Sequence, residues 1–204
     1  MINLTIDGQK VKVEEGTSVL EAALKANIHI PTLCYLPEVQ AIGACRVCLV
    51  EVAGNKNLQA SCTLPVSEGM AVTTDGERVR KARKFSVEML LSNHPFECLA
   101  CDRNLNCELQ TVAEGLGVRE VAFTGAKSGG VIDDSSPSLR RDPNKCILCR
   151  RCVTVCQEQQ DVGALFVQGR GFASKVEPAF ETSLGEAVCA YCGQCSVVCP
   201  VGAI

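Results

Sequence analysis

The chain has 204 residues, 47% hydrophobic and 21% charged, a balance that suits a folded protein rather than a disordered one. No apolar run reaches the length of about 18 residues that a membrane-spanning helix needs. A formal net charge of −3, no tryptophan and 4% aromatics give nucleic acid little to bind to.

Apolar alternation in Ile2, Leu4 and Ile6 predicts a strand, Asp7-Gly8 a two-residue turn, and residues 10–13 the second strand of a hairpin. The same N-terminus lacks the basic segment, apolar stretch and cleavage site of a signal peptide, so a cytoplasmic, thiol-reducing location is expected. Ser18 with Glu21 forms a capping box that opens a short helix reaching Ala26. His29, between Ile28 and Ile30, is expected to pack. Further strands are predicted over Val47–Val52 and near Met70–Thr73, which together suggest a small sheet domain over 1–76. From Glu77 to Ser92 the pattern is helical. Asp75 is the expected N-cap, Pro95 the stop, and Val79, Ala82, Phe85, Val87, Leu90 and Leu91 the apolar face. A second helix is expected over Cys107–Ala113, closing a unit over 77–124. Residues 125–138 are small and polar and read as a linker, and a third unit follows over 139–204.

The 15 cysteines carry the chemistry. Cys34, Cys45, Cys48 and Cys62 are spaced C-x10-C-x2-C-x13-C; His94, Cys98, Cys101 and Cys107 are spaced H-x3-C-x2-C-x5-C. C-x2-C-x2-C-x3-C then occurs twice, as Cys146, Cys149, Cys152, Cys156 and as Cys189, Cys192, Cys195, Cys199. Four sets of four leave no cysteine over. In such paired runs three thiolates hold one cubane and the fourth holds the other, which assigns Cys146, Cys149, Cys152 and Cys199 to one [4Fe–4S] centre and Cys189, Cys192, Cys195 and Cys156 to a second. The segment between the runs is consistent with a hairpin. Gly43 and Ala44 are small enough to let backbone N–H groups approach a centre held by the first set, and those bonds help to set its potential. Zinc is the alternative at each set, although it favours separated C-x2-C pairs over the repeated run. His94 stands at short reach from three cysteines that lack a fourth donor. A neutral imidazole there raises the potential relative to a thiolate, and a purely structural histidine is the alternative.

These motifs resemble the N-terminal electron-transfer region of multi-cluster [FeFe]-hydrogenases. The carriers are Pro31-Thr32-Leu33-Cys34, Gly43-Ala44-Cys45-Arg46-Val47-Cys48, His94-Pro95 with Cys98 and Cys101, Cys107-Glu108-Leu109-Gln110, the run Asp142–Cys152, and Cys192-Gly193-Gln194-Cys195 through Cys199-Pro200 to Ile204. The long Cys34–Cys45 gap departs from the plant-type ferredoxin spacing and matches a variant in these hydrogenases and in the large iron–sulfur subunit of complex I. The resemblance implies an α+β chain: a β-grasp [2Fe–2S] ferredoxin domain, a small helical [4Fe–4S] domain with one histidine and three cysteine ligands, and a bacterial-type two-cluster ferredoxin domain. It implies one [2Fe–2S] and three [4Fe–4S] clusters and a relay to a catalytic H-cluster domain expected to follow in the same polypeptide. Flavin- and NAD(P)-binding and small [2Fe–2S] partner subunits, or a ferredoxin, are the implied partners.

No nucleotide-binding glycine motif and no G-x-S-x-G or H-E-x-x-H motif occurs, so the expected role is electron relay without catalysis in the segment itself. Loading four oxidised clusters on thiolates takes the formal charge to about −10. Arg46, Arg103, Lys145, Arg150 and Arg151 lie near the ligands, as potential-tuning or docking cations or as ordinary solvated charge. Other settings for the same relay are a pterin-dependent formate dehydrogenase and a diaphorase subunit of a NiFe hydrogenase or complex I-like assembly. A zinc scaffold is the redox-silent alternative.

Overall fold

The computed structural model describes residues 1–37 and 39–204. Strands β1 (Ile2–Ile6) and β2 (Gln9–Val13) pair antiparallel, Leu4 opposite Val11 and Ile2 opposite Val13. The turn between them has Asp7 and Gly8 both at positive φ (47° and 82°), the twist a tight hairpin requires. Period-two alternation buries Leu4, Ile6, Val11 and Val13 and leaves Lys10 and Lys12 outside. Helix α1 (Val19–Lys25) starts on the expected box: Ser18 Oγ accepts from the Glu21 N–H, and Glu21 accepts from the Ser18 N–H at 2.9 Å.

Strand β3 (Leu49–Val52) begins later than the β-branched run suggested, because Val47 and Cys48 lie in the preceding turn, where Arg46 has φ 57°. The short β4 (Gln59–Ala60) was not expected; it pairs with β3, and β5 (Ala71–Thr73) lies parallel to β1. The sheet order β2-β1-β5-β3-β4 gives the mixed sheet that a β-grasp domain requires, with α1 burying Val19, Leu20, Ala22 and Ala23 in its core. His29 is exposed while Ile30 is buried, so the packing belongs to its isoleucine neighbours and not to the histidine.

Helix α2 (Glu77–Asn93) is capped by Gly76, not Asp75, whose carboxylate instead accepts from Arg80 Nε at 2.7 Å. Its buried face is Val79, Arg83 and Val87, one turn apart; Arg83 donates from Nε and Nη2 to the Leu49 carbonyl (3.0 and 2.7 Å), fastening the helix to β3. Phe85 departs from the expected face: it is exposed and meets Phe123 edge-on at 5.5 Å. The helix ends at His94, ahead of Pro95. Helix α3 (Glu108–Gly115) starts one residue after Cys107, its N-cap, and runs past Ala113 to Gly115.

The polar run 125–138 is anchored: Ser128 N–H donates to Asn93 Oδ1 (2.7 Å), and Asp133 exchanges two 2.8 Å backbone bonds with Arg141. Short helix α4 (Arg151–Thr154) continues into a π-turn over Val155–Gln159 that sequence periodicity did not indicate. Strands β6 (Phe166–Gln168) and β7 (Lys175–Glu177) supply the hairpin between the cysteine runs, and α5 (Gln194–Val197) closes the chain.

Three apolar cores result. The first lies under the sheet. The second gathers Leu33 and Val47 of the sheet region, Val87 of α2, Leu109 of α3, and Ile147 and Val201 of the C-terminal region. The third holds Val153, Leu165, Val176 and Leu184. The middle core is what joins all three regions.

Candidate metal centres

Cys34 follows α1, Cys45 and Cys48 lie in the turn before β3, and Cys62 follows β4; all four are buried. Cys48 and Cys62 sulfurs are 3.4 Å apart, and the Cys45 N–H donates to Cys34 Sγ at 3.5 Å. Bonds from Cys45 and Cys62 hold the Cys34 thiol far below its usual range, and a bond from Cys62 lowers Cys48. Sharing protons with Cys34 pushes Cys45 and Cys62 up. Two of these four thiols thus favour the thiolate, the form that ligates metal. Gly43, at φ 60°, shapes the turn beside them in a conformation other residues adopt only under strain.

His94, Cys98, Cys101 and Cys107 line one cavity, reached from the C-terminal region by Lys145 and Gly202. His94 Nδ1 is buried without a hydrogen-bond partner. Burial, with Lys145 and Lys127 adding positive charge, lowers the imidazole pKa and keeps the ring neutral, as a metal ligand must be. Burial also raises the Cys107 thiol. Gly202 packs so closely that a Cβ there would stand 2.7 Å from Cys101 Sγ.

The two repeated runs fold alike. Leu148 and Arg150 flank Cys149 at φ 54° and 64°, and Tyr191 and Gly193 flank Cys192 at 52° and 75°. Each turn aims the same N–H at its first sulfur: Leu148 to Cys146 and Tyr191 to Cys189, both 3.4 Å. α4 and α5 then start at equivalent positions. Cys146, Cys149, Cys152 and Cys199 line one cavity, and Cys156, Cys189, Cys192 and Cys195 another, so each cavity takes three cysteines from one run and one from the other. Ala164 N–H donates to Cys156 Sγ at 3.2 Å. Burial pushes Cys149 up to about 12 and Cys195 up to about 11, and raises Cys146 and Cys152. Such thiols release their protons only to a cation that replaces them.

All sixteen donors expected from the sequence are thus gathered into the four expected groups. Among the described residues no three His, Cys, Asp or Glu side chains converge tightly enough for a single ion. The donors of the second, third and fourth sets instead ring cavities, as a cluster with its own sulfides needs and one zinc at about 2.3 Å from each sulfur does not, while those of the first set pack together, Cys48 and Cys62 sulfurs 3.4 Å apart. The orphaned His94 Nδ1 and the four donor sets fit iron–sulfur clusters.

The nearby cations divide. Arg151 is buried and bonds Glu108 bidentately (2.6 and 2.8 Å); Arg103 Nη2 donates to the Ser196 and Cys199 carbonyls, both 2.9 Å. Lys145 pairs with Asp142 at 3.6 Å, while Arg46 and Arg150 are exposed. Gly202 and Arg141, both lining cavities, were not singled out from the sequence. No spacing rule marks Arg141, and Gly202 lies within the Cys199–Ile204 motif but carries no donor atom.

Comparison with known proteins agrees. Residues 1–77 match the 2Fe-2S iron-sulfur cluster binding domain, 83–122 the NADH-ubiquinone oxidoreductase-G iron-sulfur binding region, and 145–203 the 4Fe-4S dicluster domain. The chain is 47% identical over 210 residues to the NADP-reducing hydrogenase subunit HndD of Solidesulfovibrio fructosivorans, matching 100% of this chain and 36% of that protein. It is 35% identical over 205 residues to the mitochondrial NADH-ubiquinone oxidoreductase 78 kDa subunit of Candida albicans, over 100% of this chain and 28% of that protein. A chain in a crystal structure of an NAD+-reducing [NiFe]-hydrogenase in the H2-reduced state superposes with a TM-score of 0.92 at 36% identity, over 99% of this chain and 86% of that one. The chain spans about a third of the length of the two curated relatives.

Fold, donor sets and matched domains define a multi-cluster iron–sulfur electron-transfer protein with one 2Fe-2S domain, one region of the NADH-ubiquinone oxidoreductase type and a dicluster domain. The chain belongs to the family of N-terminal iron–sulfur relay regions of the HndD hydrogenase type, related to the large iron–sulfur subunit of complex I.

Proposed function

We propose that Cys34, Cys45, Cys48 and Cys62 hold the [2Fe–2S] cluster, and that His94, Cys98, Cys101 and Cys107 hold one [4Fe–4S] cluster. Cys146, Cys149, Cys152 and Cys199 hold a second, and Cys156, Cys189, Cys192 and Cys195 a third. When bound, the clusters accept and return single electrons. The protein's part is spacing, burial and charge. Cys34 and Cys45 share the middle core with Cys149 and Cys199, and Cys107 packs against it. Cys152 shares the third core, where Cys189 and Cys195 pack. Donors of successive centres therefore meet through dry side chains, which exclude water and hold the spacing. This continuity of cysteine donors through two shared cores is the observation that carries the reading.

In this role the relay connects an NAD(P)-linked flavin subunit, a small [2Fe–2S] subunit or a ferredoxin with a catalytic H-cluster domain, in the cytoplasm. Similarity to a subunit of an NADP-reducing hydrogenase supports that setting. No helix among the described residues is long and apolar enough to cross a membrane. A second setting, a stand-alone diaphorase-type subunit, draws support from the NAD+-reducing [NiFe]-hydrogenase chain, most of whose length this chain covers.

Anaerobically reconstituted protein should hold about 14 iron atoms per chain, with visible absorption bleached reversibly by dithionite. Four or eight irons would sink the four-centre reading, and absorbance indifferent to dithionite would leave a scaffold. The length of the native polypeptide separates the two settings: a cysteine-bearing catalytic continuation supports the hydrogenase, and an end at Ile204 the stand-alone subunit.

A further inference from the structure

Arg141 belongs to none of the four donor sets, yet it lines the cavity of Cys146, Cys149, Cys152 and Cys199. It is 9% exposed and fixed on several sides. Its backbone pairs with Asp133 in both directions, Nη2 lies 3.5 Å from Asp133 Oδ2, and Nη1 donates to the Val176 carbonyl. Asp133 is held in turn by the Leu184 N–H at 2.8 Å and by Ser135. One atom of this framework is left over: Arg141 Nε is buried and has no partner. A buried donor left unpaired is costly, and because Arg141 lines a sulfur-lined cavity, an acceptor in that cavity would satisfy it. The other arginines near this cavity differ in placement: Arg150 is exposed, and Arg151, whose Nε is likewise buried without a partner, does not line the cavity and has both terminal nitrogens engaged by Glu108.

We propose that Arg141 Nε donates a hydrogen bond to a sulfur of the [4Fe–4S] centre held by Cys146, Cys149, Cys152 and Cys199, and thereby raises the potential of that centre. This rests on the ligand assignment above. A donor aimed at sulfur stabilises the electron added on reduction. Asp133 offsets much of the guanidinium charge, so the N–H, more than the net charge, supplies the effect. The Asp133–Arg141 bridge explains why the polar run 125–138 is pinned beside the third region: it orients this one side chain.

The test is an EPR-monitored dithionite titration of reconstituted full-chain protein, with iron counted in each sample. In R141M and R141K alike, one [4Fe–4S] midpoint is expected to fall by about 59 mV, a tenfold change in its one-electron equilibrium, while the other centres hold. Potentials unmoved in R141M overturn the proposal. So does a fall in R141M that R141K restores, because charge alone would then explain it. Wild-type iron below about 14 per chain sinks the four-centre reading, and this inference with it. Full wild-type iron with unmoved potentials sinks Arg141 alone. If the variants lose the centre, wild-type protein with isotopically labelled guanidine nitrogens decides by pulsed EPR. A nitrogen coupling to the reduced centre that persists in both R150K and R151K supports the bond, and no coupling, or one lost in R151K, overturns it.

Discussion

At the scale of single residues, the second site depends on one donor and one absence. His94 offers a half-buried imidazole whose pKa burial lowers and whose buried Nδ1 has no protein partner. In H94C a thiolate replaces it, the cluster site gains a negative charge, and the midpoint of one [4Fe–4S] centre should drop while the iron count holds. EPR titration reads this directly; four unchanged midpoints would remove His94 from the ligand set. Gly202 acts by lacking a side chain. A Cβ there would come within 2.7 Å of Cys101 Sγ, well inside contact, so the turn or the Cys101 side chain must shift. G202A should therefore lose about four irons, and only those of the His94 centre. Full iron content with an unaltered EPR signal would show that the turn gives way at no cost.

At the scale of elements, α3 and α4 are fastened by the Glu108–Arg151 pair. Arg151 is 6% exposed and Glu108 48%, so the cation has far less access to water than its partner. In E108Q Arg151 keeps the amide oxygen and the Val198 carbonyl as acceptors but loses the countercharge, and the protein should lose about 1–2 kcal/mol of stability, the wet side of the pair limiting the cost. Anaerobic denaturation of the holo-protein followed through visible absorbance tests this, and an unmoved midpoint would count the pair as decorative. Local rules made the hairpin, the α1 capping box and the Pro95 stop readable, because each is written within a few residues. The same rules misplaced the α2 cap, since Arg80 competes for the Asp75 carboxylate. They put Phe85 in the core, whereas it pairs with Phe123 on the surface. Two-residue β4 and the π-turn over Val155–Gln159 leave no periodic trace. The donor sets were readable because ligand spacing is itself local. Arg141, Gly202 and Arg83 were not, because their roles exist only against partners distant in sequence.

At the scale of the whole molecule, the cysteines are distributed unevenly among the cores, and that sets what iron removal should do. Among the described residues the core under the sheet contains sixteen buried ones, only Cys48 and Cys62 among them proposed ligands, with Leu4, Ile6, Val11, Leu20, Val50 and Val72 supplying its bulk. The middle core counts Cys34, Cys45, Cys149 and Cys199 among its buried members, with Cys107 and Cys146 packed against it. The third core has five buried residues, one of them Cys152, and leans on Cys146, Cys189 and Cys195. Helices α4 and α5 have four residues each, too short to stand without tertiary support. Where ligands make up the interior, binding free energy is folding free energy. Anaerobic chelation should therefore unfold the chain from the C-terminal side. Amide protection in α3, α4, α5 and the β6–β7 hairpin should be lost, while the β1–β2–β5 strands stay protected by the hydrophobic burial beneath them. Hydrogen exchange with and without iron measures both halves at once. Loss of protection throughout would mean that the sheet core is too small to stand without its two cysteine ligands. Retention throughout would mean that the clusters are guests in a scaffold already folded, and the shared cores could no longer be held together by the centres they connect.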